Sequence, residues 1–296
     1  LQQLINIYQQ GQLQQALDIA KQLLSQFPNS LILYNIQGAA YAGLGEFDAA
    51  IDSYKQALKI KPDYAEAYNN MGAALKDKGN LESAIDSYKQ ALKIKPDFAE
   101  VHNNLGNTLK ELGKLEEAEE SCRQAIALKP DYAEAHSNLG NTLKEQGRLE
   151  EAEASYNQAI ALKLNYPKAH SNLGNTLREL GRLDEAEASY NQAIALKPDY
   201  AEARSNLGIT LQELGRLDEA EASYIKAIAL KPDSAEAHYN LGITLQELGR
   251  SDEAEASYTQ VIVLKPDYTE AHYNLGNTLK ELGRLDEAEA SYTQAI

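Results

Sequence analysis

The stretch EAHSNLGNTLKE at residues 134–145 returns as AHSNLGNTLRE at 169–179, AHYNLGITLQE at 237–247 and AHYNLGNTLKE at 271–281, in register at multiples of 34 residues. A fixed period of this length is the mark of a repeat array, and it overrides the domain count that 296 residues would otherwise suggest. Prolines at Pro28, Pro62, Pro96, Pro130, Pro198, Pro232 and Pro266 keep the same period, with Leu164 in the one vacant slot. One glycine column runs from Gly38 through Gly140 to Gly276, and a second from Gly11 through Gly147 to Gly283.

Within the unit 133–164, Ala135, Leu139 and Leu143 are four apart and form one stripe of a first helix. Leu149, Ala152, Tyr156, Ala159 and Ile160 follow the 3–4 spacing of a second. Gly147 is expected to end the first helix in the left-handed conformation, and Glu150 and Glu151 suit the positive end of the next helix dipole. The proline after the second helix stops it. Asp131 with Glu134, Asp97 with Glu100 and Asp199 with Glu202 have the spacing of a reciprocal N-terminal cap. Gly140 falls inside a helix, where glycine costs about 1 kcal/mol against alanine, and close approach to Ala152 of the partner helix is the simplest reason for it.

These columns, Leu139, Gly140, Leu143, Ala152, Tyr156 and Ala159 at a period of 34, resemble a tetratricopeptide-repeat array over the whole chain. Eight units begin near Leu31, Ala65, Ala99, Ala133, Pro167, Ala201, Ala235 and Thr269, after a degenerate partial repeat over 1–30 that keeps Gly11, Ala16 and Pro28. The chain opens at Leu1 and stops at Ile296 inside a repeat, so it is expected to be a fragment with its last unit truncated. The resemblance implies an all-α fold, a right-handed superhelical solenoid of stacked antiparallel helix pairs, with first helices lining a concave groove. Burial of one Leu or Tyr side chain is worth roughly 1.5–3 kcal/mol against about 0.3–0.5 for an exposed helical ion pair, so the apolar columns hold the array.

Composition narrows the function. With 28 basic and 44 acidic residues the net charge is −16, which repels phosphate backbones and anionic lipid, so neither nucleic acid nor membrane is expected as a partner. No apolar run is long enough to span a bilayer. The single cysteine, Cys122, cannot form an internal disulfide and takes the place of a core tyrosine, as a buried small hydrophobe. The compartment stays open, with the cytoplasm favoured.

His102, His136, His170, His238 and His272 share one column with Tyr34, Tyr68 and Arg204. Neighbouring helices are about 8–10 Å apart, whereas ligands of one zinc lie within roughly 4 Å of each other, so the column reads as flat side chains in the seam between helices, not as a metal site. No phosphate loop, nucleophile elbow or metalloprotease motif occurs, and every candidate acid or base is repeated along a line where catalysis needs convergence. No catalytic residue, metal or cofactor is assigned.

Asparagine is the residue type that propensity does not explain. Glu134, Asn138, Asn141 and Glu145 form a stripe facing away from Leu139 and Leu143, which should be the groove. One column reads Asn70, Asn104, Asn138, Asn172, Asn206, Asn240 and Asn274, and a second Asn107, Asn141, Asn175 and Asn277. An amide carries donor and acceptor, so such a row can pair with the backbone of an extended polypeptide of any sequence, or its members can bond to one another. In the second column Ile209 and Ile243 replace asparagine, and Tyr239 and Tyr273 replace the neighbouring serine; these four are expected to form an apolar pocket for one ligand side chain.

The wording NNLGNTLKELGKLEEAEESCRQAIALKPDYAEAHSNLG is similar to the repeat arm of protein O-GlcNAc transferases and their bacterial relatives. That resemblance implies an asparagine ladder that binds substrate polypeptide. The carboxylate clamp of chaperone-binding repeats is not matched, since its slots carry Glu66, Glu100 and Glu134. The first expectation is therefore a noncatalytic scaffold for an extended polypeptide. The alternatives are the recruiting arm of a larger transferase and self-association through the repeat ends. At the irregular junction LKLNYPKAH, residues 162–170, Asn165 is expected to cap the next helix, Pro167 to occupy its first turn, Lys168 to bring positive charge to the groove edge, and the stacking to continue.

Overall fold

The structure, a computed structural model, describes residues 1–295, and among these the secondary structure is eighteen helices and no strand. The chain divides at the irregular junction into two compact units, Leu1–Leu162 and Lys163–Ile296. The first holds α1 (Gln2–Gln9), α2 (Leu13–Gln26), α3 (Leu31–Gly43), α4 (Phe47–Ile60), α5 (Ala65–Asp77), α6 (Leu81–Ile94), α7 (Ala99–Glu111), α8 (Leu115–Leu128), α9 (Ala133–Glu145) and α10 (Leu149–Leu162). The second holds α11 (Pro167–Glu179), α12 (Leu183–Leu196), α13 (Ala201–Glu213), α14 (Leu217–Leu230), α15 (Ala235–Glu247), α16 (Ser251–Leu264), α17 (Thr269–Glu281) and α18 (Leu285–Gln294). Within each unit every odd helix pairs with the even helix that follows, and that helix packs on the next odd one. Successive odd helices also touch, α3 with α5, α5 with α7 and α7 with α9, then α11 with α13 and α13 with α15. The even helices have no equivalent direct packing among the described residues, so the odd helices form the closer, inner face.

Each odd helix ends on a left-handed glycine. Gly147 has φ 75°, and the Arg148 N–H turns back to the Leu143 carbonyl at 2.9 Å, which satisfies a carbonyl the last turn would otherwise leave open. The even helices need less: α10 stops at Leu162 although Leu164 stands where other repeats have proline, so proline is not what ends them.

The helix starts differ from the sequence expectation. Tyr132, Phe98 and Tyr200 are the N-cap residues of α9, α7 and α13, and none of these helices has a side-chain cap. Asp131, Asp97 and Asp199 lie one position too early, so the reciprocal pair with Glu134, Glu100 and Glu202 does not form; the Ala135 N–H bonds the Tyr132 carbonyl at 3.0 Å instead. Asn165 is displaced in the same way, Tyr166 being the N-cap of α11, while Pro167 does occupy its first turn.

The core of six helix pairs is a tyrosine of the even helix. Tyr54, Tyr88, Tyr156, Tyr190, Tyr224 and Tyr258 are buried to 2% exposure or less, and burial raises the pKa of the Tyr54, Tyr88, Tyr190, Tyr224 and Tyr258 hydroxyls. The helical glycine exists for this ring. A Cβ on Gly140 would lie 2.8 Å from the Tyr156 ring, so the close approach is to Tyr156 and not to Ala152. Cys122 takes the ring's place beside Gly106, fully buried, its thiol pushed up to about 12 by burial.

On the even-helix side, arginines in the turns join consecutive pairs. Arg216 reaches Glu219 through Nε at 2.7 Å and Nη2 at 2.6 Å, and its Nη1 contacts Glu187 of the preceding pair. Arg250 and Arg284 repeat the pattern with Glu253 and Glu221, and with Glu287 and Glu255. Hydrogen bonds from the guanidinium hold the Glu219, Glu253 and Glu287 carboxyls below the usual range.

Alanine in place of a mid-helix glycine ordinarily gains about 1 kcal/mol. At Gly174 the added methyl would stand 2.7 Å from the Tyr190 ring, so Gly174→Ala is expected to lower the stability by about 1–3 kcal/mol in urea unfolding. A stabilised variant would contradict this packing.

Candidate functional site

The asparagine stripe lies on the odd helices, half-buried on the inner face of each unit. Its position follows from the core: Leu139 and Leu143 are buried on the opposite side of α9, leaving Asn138 and Asn141 to the inner surface.

The first column bonds backward along the stack. Nδ2 of Asn70 donates to Oδ1 of Asn35 at 3.1 Å, Asn104 to Asn69 at 3.1 Å, and Asn138 to Asn103 at 2.9 Å. In the second unit Asn206 donates to Asn175 at 3.1 Å and Asn274 to the Tyr239 hydroxyl at 3.0 Å. Asn172 has an interaction of its own within the fold. Asn240 differs: the preceding repeat offers Ile209 where Asn206 meets Asn175 and Ser205 where Asn274 meets Tyr239, and its side-chain amide has no partner among the described residues. Among those residues, Asn104, Asn138, Asn206 and Asn274 each have Nδ2 engaged and Oδ1 left open.

The second column answers to the core tyrosine. The Tyr156, Tyr190 and Tyr292 hydroxyls donate to Oδ1 of Asn141, Asn175 and Asn277 at 2.8, 2.7 and 2.8 Å. Where Cys122 replaces the tyrosine, Asn107 turns to Glu111 at 3.2 Å. Where isoleucine replaces the asparagine, the hydroxyl needs another acceptor: Tyr258 finds Gln246 at 2.9 Å and Tyr224 approaches Gln212 at 3.5 Å. Units that keep asparagine carry Lys110, Lys144, Arg178 or Lys280 at that glutamine position, none of which can accept. This pairing of Asn with Lys or Arg, and of Ile with Gln, is visible in the sequence and was missed there, because nothing in the sequence marks which hydroxyl is buried.

Of the four apolar positions, Ile209 and Ile243 are half-buried. Tyr239 packs against the rings of Tyr258 at 6.0 Å and Tyr268 at 5.1 Å, and Tyr273, 55% exposed, against Tyr292 at 5.8 Å. The histidines have a local duty that spacing alone did not reveal. Nε2 of His102, His136, His238 and His272 bonds the carbonyl of Pro96, Pro130, Pro232 and Pro266 at 2.8–3.1 Å, and Arg204 donates to Pro198 in the same way. These four histidines and Arg204 tie the loop before their helix, which explains why arginine can stand in for histidine. No cluster of three potential metal ligands occurs among the described residues, and no helix there is long and apolar enough to cross a membrane. Lys76 with Glu111 and Lys110 with Glu145 form rungs at 2.9 and 2.8 Å along the first unit. Lys168 is exposed in the first turn of α11.

Paired helices at a period of 34, an inner face of odd helices and the glycine–tyrosine core define a tetratricopeptide-repeat array. The chain belongs to the tetratricopeptide-repeat family described as the Cilia and flagella-associated protein 70 C-terminal domain, which matches residues 9–241; a further tetratricopeptide-repeat family matches residues 239–296. No curated protein matches it in sequence. Among solved structures, MamA is 26% identical with a TM-score of 0.51, over 53% of this chain and 92% of that one. YrrB, described as a TPR protein with an unusual peptide-binding site, is 24% identical with a TM-score of 0.51, over 63% of this chain and 96% of that one. A chain of the APC/C hetero-tetramer Cut9-Hcn1 shares the fold at 17% identity and a TM-score of 0.70, over 90% of this chain and 52% of that one.

The hydroxyl rule is open to a swap. Gln246→Lys removes the acceptor of the fully buried Tyr258 and is expected to cost about 1–3 kcal/mol. Adding Ile243→Asn should restore most of it. A double variant no more stable than Gln246→Lys in urea unfolding would refute the rule.

Proposed function

We propose that this chain is a noncatalytic scaffold that holds an extended segment of a partner protein along its asparagine-lined inner face. The observation that carries the reading is the half-used amide. In Asn104, Asn138 and Asn206 one Nδ2–H is fixed by a neighbouring repeat, which orients the group and leaves Oδ1 and the second N–H for a ligand backbone. Asn240 brings a whole amide with no internal partner among the described residues. Backbone-directed amides confer affinity without reading sequence, and the net charge of −16 favours segments that are not acidic. YrrB, a repeat protein of the same fold, has a peptide-binding site by its own description. Ile209, Ile243, Tyr239 and Tyr273 belong to the same proposal as the apolar ground beside the amides. The recruiting arm of a protein O-GlcNAc transferase would present the same ladder, and the peptide test below reads the ladder in either setting.

Asn240 separates binding from folding. Dodecapeptides selected from an unbiased display library on the whole chain should bind Asn240→Ala about 2- to 10-fold more weakly, the equivalent of one hydrogen bond, with the melting temperature unchanged. Asn138→Ala should lower both, since its amide also ties α9 to Asn103 of α7. Full affinity in Asn240→Ala and Asn138→Ala alike would sink the reading.

A further inference from the structure

The residue before each odd helix is aromatic from the third repeat pair onward, Tyr64, Phe98, Tyr132, Tyr166, Tyr200 and Tyr268, and the run is broken once, at Ser234. Each of these rings lies beneath the ammonium group of the lysine three residues earlier, with Lys61, Lys95, Lys129, Lys163, Lys197 and Lys265 standing 4.3–5.8 Å from the ring centroids. Lys231 has neither ring nor carboxylate partner among the described residues.

Where the ring would be, there is a cavity. Its volume is about 210 Å³, against the roughly 150 Å³ that accommodates benzene in a protein interior. The match to a missing ring is specific. Tyr268 has Lys265, Tyr239, Glu270 and Glu236 as its neighbours; shifted back one repeat these become Lys231, Ser205, Glu236 and Glu202, and all four line the cavity. Ser234 itself forms the wall and accepts the Ala237 N–H at 3.3 Å, and buried Ala227 and Ala237 make the floor. The effect on the neighbour is visible: Ser171, in the Ser205 column and beside the Tyr200 hydroxyl, is fully buried, whereas Ser205 is half-exposed.

We propose that this cavity is an acceptor site for one phenylalanine or tyrosine side chain of the bound polypeptide, which inserts into the seam between α13 and α15 under Lys231 in the position that the protein's own ring occupies in the other repeats. The proposal rests on the groove reading above for the ligand's backbone. Asn206 connects the two, because its amide belongs to the inner row and also lines the cavity. Alternate side chains of an extended ligand point to one face, so a backbone held by the row can send one side chain inward. The lysine ammonium over the ring face and the alanine floor select an aromatic group. Glu202 and Glu236 at the rim exclude a phosphorylated tyrosine.

The test has two arms on the whole chain. In the first, the ¹⁵N-labelled protein is titrated with p-cresol, the tyrosine side chain as a free molecule, and with cyclohexanol as the non-aromatic control. Saturable amide shifts at Ala227 and at Ser234 to Ala237 are expected with p-cresol only. Ser234→Tyr, which restores the residue of the other repeats, should abolish them without lowering the melting temperature, and Ser234→Ala should retain them. In the second arm, replacing the aromatic residue of a library-selected dodecapeptide by alanine should weaken binding about tenfold or more to the parent and hardly at all to Ser234→Tyr. The cavity assignment is overturned if p-cresol shifts nothing, if it shifts Ser234→Tyr equally, or if the peptides bind with no aromatic preference; in that last case the groove reading stands. Shifts with p-cresol while no peptide binds would support the cavity and sink the groove.

Discussion

The inner face depends on one contact, the core tyrosine of an even helix packed against a glycine of its odd partner, which recurs in every pair from α3 and α4 onward except α7 and α8, where Cys122 stands in. A methyl group at Gly208 would stand 2.6 Å from the Tyr224 ring, and at Gly242 2.7 Å from that of Tyr258. Glycine costs helix stability on its own, and the fold accepts that cost because a fully buried ring is worth more. The contact also brings the phenolic oxygen through the helix pair to the edge of the groove. There it requires an acceptor, since a buried hydroxyl without one is costly.

That requirement sets the chemistry of the surface. With Asn175 as acceptor for Tyr190, the same carbonyl is also available to Asn206 of the next repeat, and two amides are fixed together. With Ile209 in that place, the hydroxyl of Tyr224 leans on Gln212 and Asn240 is released. After Ile243 the next amide is not released, because Tyr239 supplies the acceptor for Asn274, so the residues the preceding repeat offers in both columns decide whether an amide is tied within the fold. The opening at Ser234 lies next to this released amide in the same repeat pair, so the departures from regularity gather around α13 and α15.

The helix pairs, their glycine stops and the buried columns could all be read from the period and spacing, because each repeats in several copies and obeys local rules. The tyrosine behind Gly140 could not, since residues sixteen apart give no sign of which one meets the missing Cβ. Capping was misread for a different reason: Asp131 and Glu134 have the right spacing, but the helix starts a residue later, and only the backbone settles that register. The asparagine columns were legible as a surface and illegible as a network, because whether an amide is used internally depends on a residue in the preceding repeat. Ser234 is a single break in an aromatic column, and its meaning emerges only once the column is known to hold rings beneath lysines.

The dependence of groove on core can be measured in one pair of residues. A double-mutant cycle with Tyr190→Phe and Asn175→Ala, followed by urea unfolding, isolates the bond that joins the ring to the inner face. The account requires a coupling of about 1 kcal/mol, with the second change costing less once the first has been made. Strictly additive costs would mean that the hydroxyl and the asparagine act independently, and that the core does not dictate the groove.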